Sequence, residues 1–363
     1  MVVSRQPTND KRQTRIAIVG PVYPYRAGIA YCTTKLAEVL GADVISFKRQ
    51  YPKRFYPGDD DVDPTLPRAK ADFILDILNP LTWFQARRRL RRYDAVIFVW
   101  WIWVWAIPYR LMMSKVRRVI VQCHNVGEKE PAWWKRALSN MAMRRGDVLV
   151  VHAESEADEA RRRTSQRVVK AFLPVHELGG AVPSRQEAKT RLGLSGQNVA
   201  LFFGHIRPFK GLDIALEAWR HLHSSPTLLV AGERWWKTEI RADQPNVQLH
   251  LRFIPDAEIA TYFAASDVVL APYRTEAQSG VALTAFHFGR PVIASAVGGL
   301  PEVIDGRNGI LVPPEDPEAL AQAVDDFFLK RDRAAMERAA AESARRYSWA
   351  EYGAIMSRLV TGT

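Results

Sequence analysis

Short runs of consecutive apolar residues alternate with stretches of helical periodicity along the whole chain. Val- and Ile-rich runs without polar alternation are typical of strands buried on both faces, as in a parallel sheet covered by helices. Such runs fall at 15–20, 43–47, 95–100, 118–125 and 148–154, and again at 199–206, 227–233, 247–253, 268–273, 291–295 and 309–313. Helical periodicity falls between them, for example at 33–40, 82–93, 133–145, 210–222, 256–266 and 279–288. The pattern predicts an α/β protein with two Rossmann-like halves.

The segment between these halves predicts a linker. Residues 173–186 contain two prolines and a Gly-Gly pair and have no periodicity. We therefore expect Rossmann-like domains over residues 1–176 and 186–346, followed by a terminal helix over 347–363. Two such domains facing each other place a ligand in the cleft between them, at the carboxyl ends of the strands.

Composition indicates a folded protein with an uneven charge. The chain has 363 residues, of which 47% are apolar and 25% charged, which suits two compact domains. Its net charge of +12 is concentrated in residues 1–180, where 31 Lys and Arg face 18 Asp and Glu. A solvated Arg-rich surface would explain this, but the asymmetry favours an anionic partner such as a membrane surface. The two distant cysteines and a polar first segment without signal-peptide features predict a cytoplasmic protein.

The segment 95–109 is rich in tryptophan and has 15 residues without a charge. A helix needs roughly 18–20 such residues to span a bilayer, so a buried strand followed by an apolar helix is the favoured interpretation. Tryptophan and basic side chains together also suit the lipid headgroup layer, and Trp133, Trp134, Lys135 and Arg136 add to them. We hypothesise a peripheral membrane contact in this half of the chain.

Candidate chemistry follows three predicted strands of the second half. After the first, Gly204 ends a strand and Arg207 and Lys210 precede a predicted helix, a pattern that suits a diphosphate. After the second, Glu276 precedes a helix start at Ser279, Gly280 and Val281, whose backbone amides a ligand can approach. The third, 295–304, carries a Gly-Gly turn that predicts a further backbone surface for phosphate or sugar oxygens.

These motifs in this order resemble the C-terminal half of the retaining glycosyltransferases of family 4, the group 1 glycosyltransferases, which have the GT-B fold. The matching segments are GHIRPFKGLD, EAQSGVALTAFHFGRPVIAS and VGGLPEVIDGRNGILVPPEDPEALAQA. In the first half, GPVYPYRAGIAYCTTKLAEVL, QCHN and VVHAESEADEAR are similar to other parts of that family, and FKRQYPKRFYPG is similar to a subgroup that acts on cell-surface polysaccharides or glycolipids. The resemblance implies an acceptor-side N-terminal domain, a nucleotide-sugar-binding C-terminal domain and a terminal helix that returns to the N-terminal domain.

The resemblance also implies roles for individual residues. Arg207 and Lys210 match the pair that binds the donor diphosphate, and Glu276 matches the first acid of a Glu-x7-Glu motif that lies near the transferred sugar. The second acid of that motif, which binds the ribose in the family, is replaced by Thr284. In the first half, Gly28 matches the glycine that approaches the diphosphate, and His124 matches a histidine near the donor sugar.

The implied activity is transfer of a hexose, with retention, from a UDP- or GDP-sugar to a glycan or lipid-linked acceptor. Residue types suggest departure of the nucleoside diphosphate and attack by the acceptor on the same face, since no carboxylate pair or Ser-His-Asp set is evident. We expect no cofactor and no obligatory metal, because the acidic run at 59–63 suits a solvated turn. A nucleotide-sugar epimerase on the same scaffold and a non-catalytic binding protein remain alternatives, while no motif indicates nucleic-acid binding.

Overall fold

The computed structural model describes residues 14–26, 28–51, 61–127, 132–177, 181–194, 198–235, 240, 244 and 246–362. In this part of the chain two parallel sheets, each covered by helices, form two domains. The prediction of two Rossmann-like domains is confirmed. The exact domain boundaries stay a prediction.

The first sheet has seven strands in the order β3-β2-β1-β4-β5-β6-β7. Its strands are β1 Ile16–Val19, β2 Asp43–Arg49, β3 Asp72–Asp76, β4 Ala95–Trp100, β5 Val119–Cys123, β6 Val148–Val151 and β7 Arg167–Lys170. The helices between them are α1 Gly28–Leu40, α2 Pro80–Leu90, α3 Ala106–Met112, α4 Trp133–Met143 and α5 Glu154–Arg163. Strands β3 and β7 were missed by the sequence prediction. They are the two edges of the sheet and are only partly buried, so they lack a continuous apolar run.

The second sheet has six strands in the order β10-β9-β8-β11-β12-β13. They are β8 Val199–Phe203, β9 Thr227–Ala231, β10 Val247–His250, β11 Val268–Ala271, β12 Val292–Ser295 and β13 Gly309–Val312. Its helices are α6 Arg185–Arg191, α7 Leu212–Ala218, α8 Asp256–Ala265, α9 Gly280–His287, α10 Leu300–Val303, α11 Pro317–Leu329 and α12 Arg333–Arg346. The predicted helix over 210–222 is shorter at both ends, because residues 208–210 form a separate 3-10 turn and Gly211 has a φ of +70°.

Alternate residues of the central strand β4 enter two different cores, one on each face of the sheet. Val96, Phe98 and Trp100 pack with α2, α3 and α4. Ile97 and Val99 pack on the opposite face with α1 and the last helix, α13 Trp349–Thr361. A strand buried on both faces explains the continuous apolar run in the sequence. As the resemblance implied, α13 returns to the first domain.

The tryptophan-rich segment forms a buried strand, a 3-10 turn at Trp103–Trp105 and helix α3, which is the favoured interpretation of its sequence. Trp100 and Trp105 are fully buried core residues. Among the helices of the described residues, none combines the length and the apolar character needed to cross a bilayer.

Candidate active site

The loops that carry the predicted site residues of the second domain lie together at the carboxyl edge of its sheet. Because all strand pairs of this sheet are parallel, the loops after β8, β11 and β12 leave it on the same side. The carboxyl edge of the first sheet faces them, since the hydroxyl of Tyr23, in the loop after β1, donates to Asp256 at 2.7 Å. Arg26 in the same loop stacks on Phe253, with 4.1 Å from its Cζ to the ring centroid. The site is therefore a cleft between the domains.

Two glycines allow the loops of the second domain to pack against each other. Gly211 has a φ of +70°, and a Cβ there would lie 1.9 Å from the carbonyl oxygen of Pro272. Gly298 has a φ of +54°, and its Cβ would lie 1.6 Å from the carbonyl oxygen of Glu276. A side chain at either position would displace the neighbouring loop. The role predicted for the Gly-Gly turn as a phosphate or sugar surface is wrong for Gly299, because its amide already donates to the carbonyl of Ala277 at 2.9 Å.

Lys210 lies at the centre of these loops. Its ammonium pairs with the carboxylate of Glu276 and sits 3.8 Å from the centroid of the Tyr273 ring. Burial by itself would lower the pKa of Lys210, but Tyr273 and Glu276 outweigh it, and the pKa is raised above its ordinary value. The side chains of Lys210 and Glu276 are 17% and 8% exposed. A fixed cation and a fixed carboxylate thus share one nearly buried position. Their predicted roles at the diphosphate and at the sugar of a donor stay a prediction.

Arg207 lies next to Lys210 and is held by a tryptophan. Its guanidinium carbon is 3.7 Å from the centroid of the Trp235 ring, a cation–π contact. The indole N–H of Trp235 donates to Glu233 at 3.0 Å. Burial, together with Arg207, Lys210 and Arg26, lowers the pKa of the neighbouring His205 to about 3. Positive charge from both domains is therefore concentrated at this point of the cleft.

The start of α9 borders the same position. Ser279 is its N-cap and accepts from the amide of Ala282 at 3.3 Å, while first-turn amides such as those of Gly280 and Val281 have no partner within a helix. Gly280 is exposed, and no described atom lies within 4 Å of where its Cβ would stand. Gly204 has a φ of +100°, and a Cβ there would lie 3.6 Å from the Val281 side chain. The turn after β8 therefore lies against the helix start.

Thr284 is buried beneath this helix start. It is 4% exposed, and its hydroxyl donates to the carbonyl of Gly280 at 2.8 Å. With its proton committed to the helix, the hydroxyl can offer a ligand only an acceptor lone pair. The position that carries an acid in the resembled family therefore has neither a charge nor a free donor here.

His124 lies on the opposite wall of the cleft, directly after β5. It borders a small cavity of about 30 Å³ together with His152 and Glu156 of the first domain and Ala277 and Gln278 of the second. Burial, and secondarily His152, lowers the pKa of His124 to about 3, so the imidazole is neutral near pH 7. Among the described residues its Nε2 has no hydrogen-bond partner. A neutral imidazole facing the Glu276 loop can donate to or accept from a hydroxyl in the cavity.

His152, behind His124, is held by the terminal helix. The hydroxyl of Tyr352 in α13 lies 3.1 Å from His152 Nε2 and accepts from the side-chain amide of Gln122 at 2.8 Å.

Gly28 is the first residue of α1 and follows the loop that contains Tyr23 and Arg26. Among the described residues, no atom lies within 4 Å of where its Cβ would stand. The structure thus brings Gly204, Arg207, Lys210, Glu276 and the start of α9 together, with His124 across the cleft.

Several residues around the site were not predicted from the sequence. Trp235 and Tyr273 hold the two cations, and Tyr23 and Arg26 join the two domains across the cleft. Tyr273 comes directly before the Glu276 loop, so its place in the sequence could have indicated that it belongs to the site. Trp235 follows β9 without a recognisable motif and could be found only from the contact itself.

A larger cavity, of about 720 Å³, lies elsewhere on the second domain. It is bordered by residues of α6, β10, α8 and the loop after β10, including Arg191, His250 and Arg252, and by none of the predicted site residues. Within the described part of the chain, no three His, Cys, Asp or Glu side chains are grouped to hold a metal ion. The absence of an obligatory metal or cofactor stays a prediction, and Asp59 and Asp60 of the acidic run lie outside the described residues.

Comparison with known proteins assigns this site to a family. Residues 197–329, which contain all the predicted site residues of the second domain, match the sequence model of the family described as "Glycosyl transferases group 1". The chain is 30% identical over 302 residues to the D-inositol 3-phosphate glycosyltransferase of Xylanimonas cellulosilytica, covering 75% of this chain and 72% of that protein. It is 29% identical to the protein of the same name from Mycolicibacterium smegmatis, over 71% of this chain and 64% of the relative, just under two thirds of its length.

Solved structures share the fold over nearly the whole chain. Sucrose-phosphate synthase from Thermosynechococcus elongatus superposes with a TM-score of 0.76 at 20% identity, covering 96% of this chain and 98% of that one. The Anabaena protein HepE in complex with UDP-glucose superposes with a TM-score of 0.74 at 16% identity, covering 96% and 100%. At these identities the likeness shows the fold alone, and the predicted GT-B architecture is confirmed.

Proposed function

Because the chain belongs to the group 1 glycosyl transferases, we propose that it moves a hexose from a UDP- or GDP-sugar to a hydroxyl of a glycan or lipid-linked acceptor, with retention of configuration. The observation that carries the proposal is that Arg207, Lys210 and the start of α9 lie close together in the cleft. Both cations lie near the Phe209 ring, with 5.7 Å and 5.4 Å to its centroid. Lys210 and Ser279 both contact Tyr273, at 3.8 Å from the ring centroid and 3.5 Å from its hydroxyl. Two cations beside exposed amides suit a diphosphate.

In the proposed reaction the bond between the anomeric carbon and the diphosphate oxygen breaks while the acceptor hydroxyl attacks from the same face. Arg207, Lys210 and the amides of α9 stabilise the charge that develops on the diphosphate. The acceptor's proton passes to the leaving phosphate oxygen. Glu276 and neutral His124, on opposite walls of the cleft, are placed to hydrogen-bond hydroxyls of the sugar.

The UDP-bound and UDP-glucose-bound structures of HepE support a nucleotide-sugar donor in this fold. The names of the sequence relatives support a small polar or phosphorylated acceptor as one class to test. The hydroxyl of buried Thr284 already donates to the carbonyl of Gly280, so this position should contact the nucleotide ribose differently from the acid that the resembled family has there. The basic first domain supports an acceptor presented at the inner face of the cell membrane, with the protein in the cytoplasm.

The test is release of a nucleoside diphosphate that depends on an acceptor. A first screen of UDP- and GDP-sugars by thermal stabilisation selects the donor, since a bound donor raises the melting temperature by mass action. We expect diphosphate release to require an acceptor hydroxyl and the product to keep the donor's anomeric configuration, measured by NMR. Donor conversion without release of diphosphate would instead indicate an epimerase. Donor binding without turnover across an acceptor panel would indicate a non-catalytic binding protein.

A further inference from the structure

Three helices on one face of the first domain begin at the rim of the cleft. Helices α2, α3 and α4 follow β3, β4 and β5, and α3 packs between the other two. A helix that follows a strand of a parallel sheet starts at the strand's carboxyl end. That edge of this sheet is the one that contacts the second domain, through Tyr23 and Asp256. The first turns of the three helices therefore form a continuous border beside the opening of the site.

Large apolar side chains are exposed along this border. Leu81 is 76% exposed, Ile107 57% and Trp133 83%, one at the start of each helix. Three more apolar side chains are exposed beside them: Leu78, Phe84 and Trp134. The Trp103 and Trp134 rings pack edge to face with centroids 4.7 Å apart, which joins the α3 and α4 parts of the surface. We call these six exposed side chains, from Leu78 to Trp134, the apolar rim.

Basic residues lie beside the apolar rim on all three helices. Helices α2, α3 and α4 together contain six Lys and Arg and no Asp or Glu. On the exposed faces, Arg88, Arg110 and Arg136 each follow an apolar rim residue by one to two turns. Lys135 lies 5.7 Å from the centroid of the Trp134 ring and 5.9 Å from that of Trp103. Exposed apolar and aromatic side chains next to basic side chains match the acyl boundary and anionic headgroups of a bilayer.

We propose that the apolar rim docks this protein on an anionic phospholipid bilayer, with the cleft opening held at the headgroup layer. A bilayer fits this surface because its acyl chains match the exposed apolar side chains of the rim and its anionic headgroups match the basic side chains beside them. Docking there would bring a lipid-linked hydroxyl to the side of the cleft that bears His124. In that respect the inference rests on the proposed function, although the docking itself does not require nucleotide.

The experiment is sedimentation of the full chain with vesicles of equimolar phosphatidylcholine and phosphatidylglycerol, compared with phosphatidylcholine alone. We expect binding to the anionic vesicles and weaker binding to the neutral ones. Leu81→Ser and Trp133→Ser should each weaken binding on the order of tenfold, because each removes one large side chain from the acyl boundary. Leu329→Ser is the matched control, since Leu329 is 63% exposed in α11 of the other domain, and it should bind as the wild type does.

The role of the basic residues beside the apolar rim is tested with the double variant Arg88→Gln and Arg110→Gln, which should abolish the preference for anionic vesicles. Because all these side chains are exposed, the variants should melt as the wild type does. Failure of the wild type to bind anionic vesicles, or equal binding by the rim and control variants, would overturn the proposal. A wild-type dimer in sedimentation velocity that Trp133→Ser dissociates would also overturn it, in favour of a second copy as occupant. The assay contains no nucleotide, so a failure to bind UDP or GDP would count against the proposed function and not against docking.

Discussion

Replacing Lys210 with methionine removes the central cation of the site and keeps most of the side-chain volume. The Lys210 side chain is 17% exposed, and the Glu276 carboxylate that it pairs with is 8% exposed. Loss of one fixed donor to a developing oxyanion costs about 2.7–4 kcal/mol of barrier. We therefore expect kcat for transfer to fall about 10²–10³-fold in Lys210→Met.

The same substitution also leaves a nearly buried carboxylate without its cation. Breaking a buried ion pair in this way costs about 3–5 kcal/mol of stability. The double variant Lys210→Met with Glu276→Gln carries no orphaned charge, so it should regain most of the lost free energy of unfolding. It should regain none of the transfer rate, because the cation is still missing.

Lys189→Met is the matched control for a buried lysine. The Lys189 side chain is 10% exposed and its ammonium lies 3.9 Å from Asp267, which accepts from the amide of Val199 at the start of β8. That end of the strand is opposite the cleft. We expect Lys189→Met to keep its kcat, measured as acceptor-dependent release of nucleoside diphosphate. It should lose less stability in urea unfolding than Lys210→Met, because Asp267 keeps Arg185 at 3.2 Å. If folded Lys210→Met, or the double variant, transferred sugar within a few-fold of wild type, the assigned role of the ammonium would be refuted.

Three further predictions follow from contacts around the cleft. Trp235→Ala should weaken nucleoside diphosphate binding in calorimetry because Arg207 loses the ring on which it lies, whereas Trp235→Phe should keep most of the affinity; equal loss in both would contradict this. Gly298→Ala should lower the free energy of unfolding by about 1–3 kcal/mol more than Gly306→Ala, since both have positive φ but only Gly298 would place a Cβ against a backbone oxygen. Burial lowers the pKa of His152 to about 4, so neutral His152 contributes stability that is present above about pH 6.5 and is lost as the pH falls toward 4. The free energy of unfolding of His152→Asn, measured in urea, should therefore depend less on pH between 6.5 and 4 than that of the wild type. An unchanged pH profile would contradict this assignment.

The central strands could be predicted because burial on both faces leaves them no polar positions. Residues 95–100 form one unbroken apolar run, and every residue of β4 is buried. The edge strands of the first sheet could not, because β3 and β7 have polar or exposed ends and only a short apolar stretch. The end of α7 was also placed too late, since the pattern of 210–222 continues past the point where the helix closes at Ala218.

The site could be predicted only as far as its residues lie in loops after predicted strands. Lys210 and Glu276 are 66 residues apart in sequence, and the order of parallel strands brings their loops to one edge. The sequence does not contain the information that they pair with each other, or that Gly298 packs on the Glu276 backbone. Those facts depend on how closely the loops approach, which the positive φ of the glycines permits.

The residues of the apolar rim could not be predicted from the sequence either. The sequence marked tryptophan at 100–105 as unusual, yet Trp100 and Trp105 are core residues. The exposed side chains are Leu81, Ile107 and Trp133, which are far apart in sequence and adjacent only because three helices start at one edge of the sheet.

The most direct test of the proposed diphosphate site is a crystal structure of the protein with a bound nucleoside diphosphate. We expect the diphosphate to lie within hydrogen-bond distance of Arg207, Lys210 and the amides of Gly280 and Val281, with Lys210 turned from Glu276 toward the phosphate. A nucleotide bound in the cavity beside β10, or a diphosphate in the cleft without contact to either cation, would contradict it.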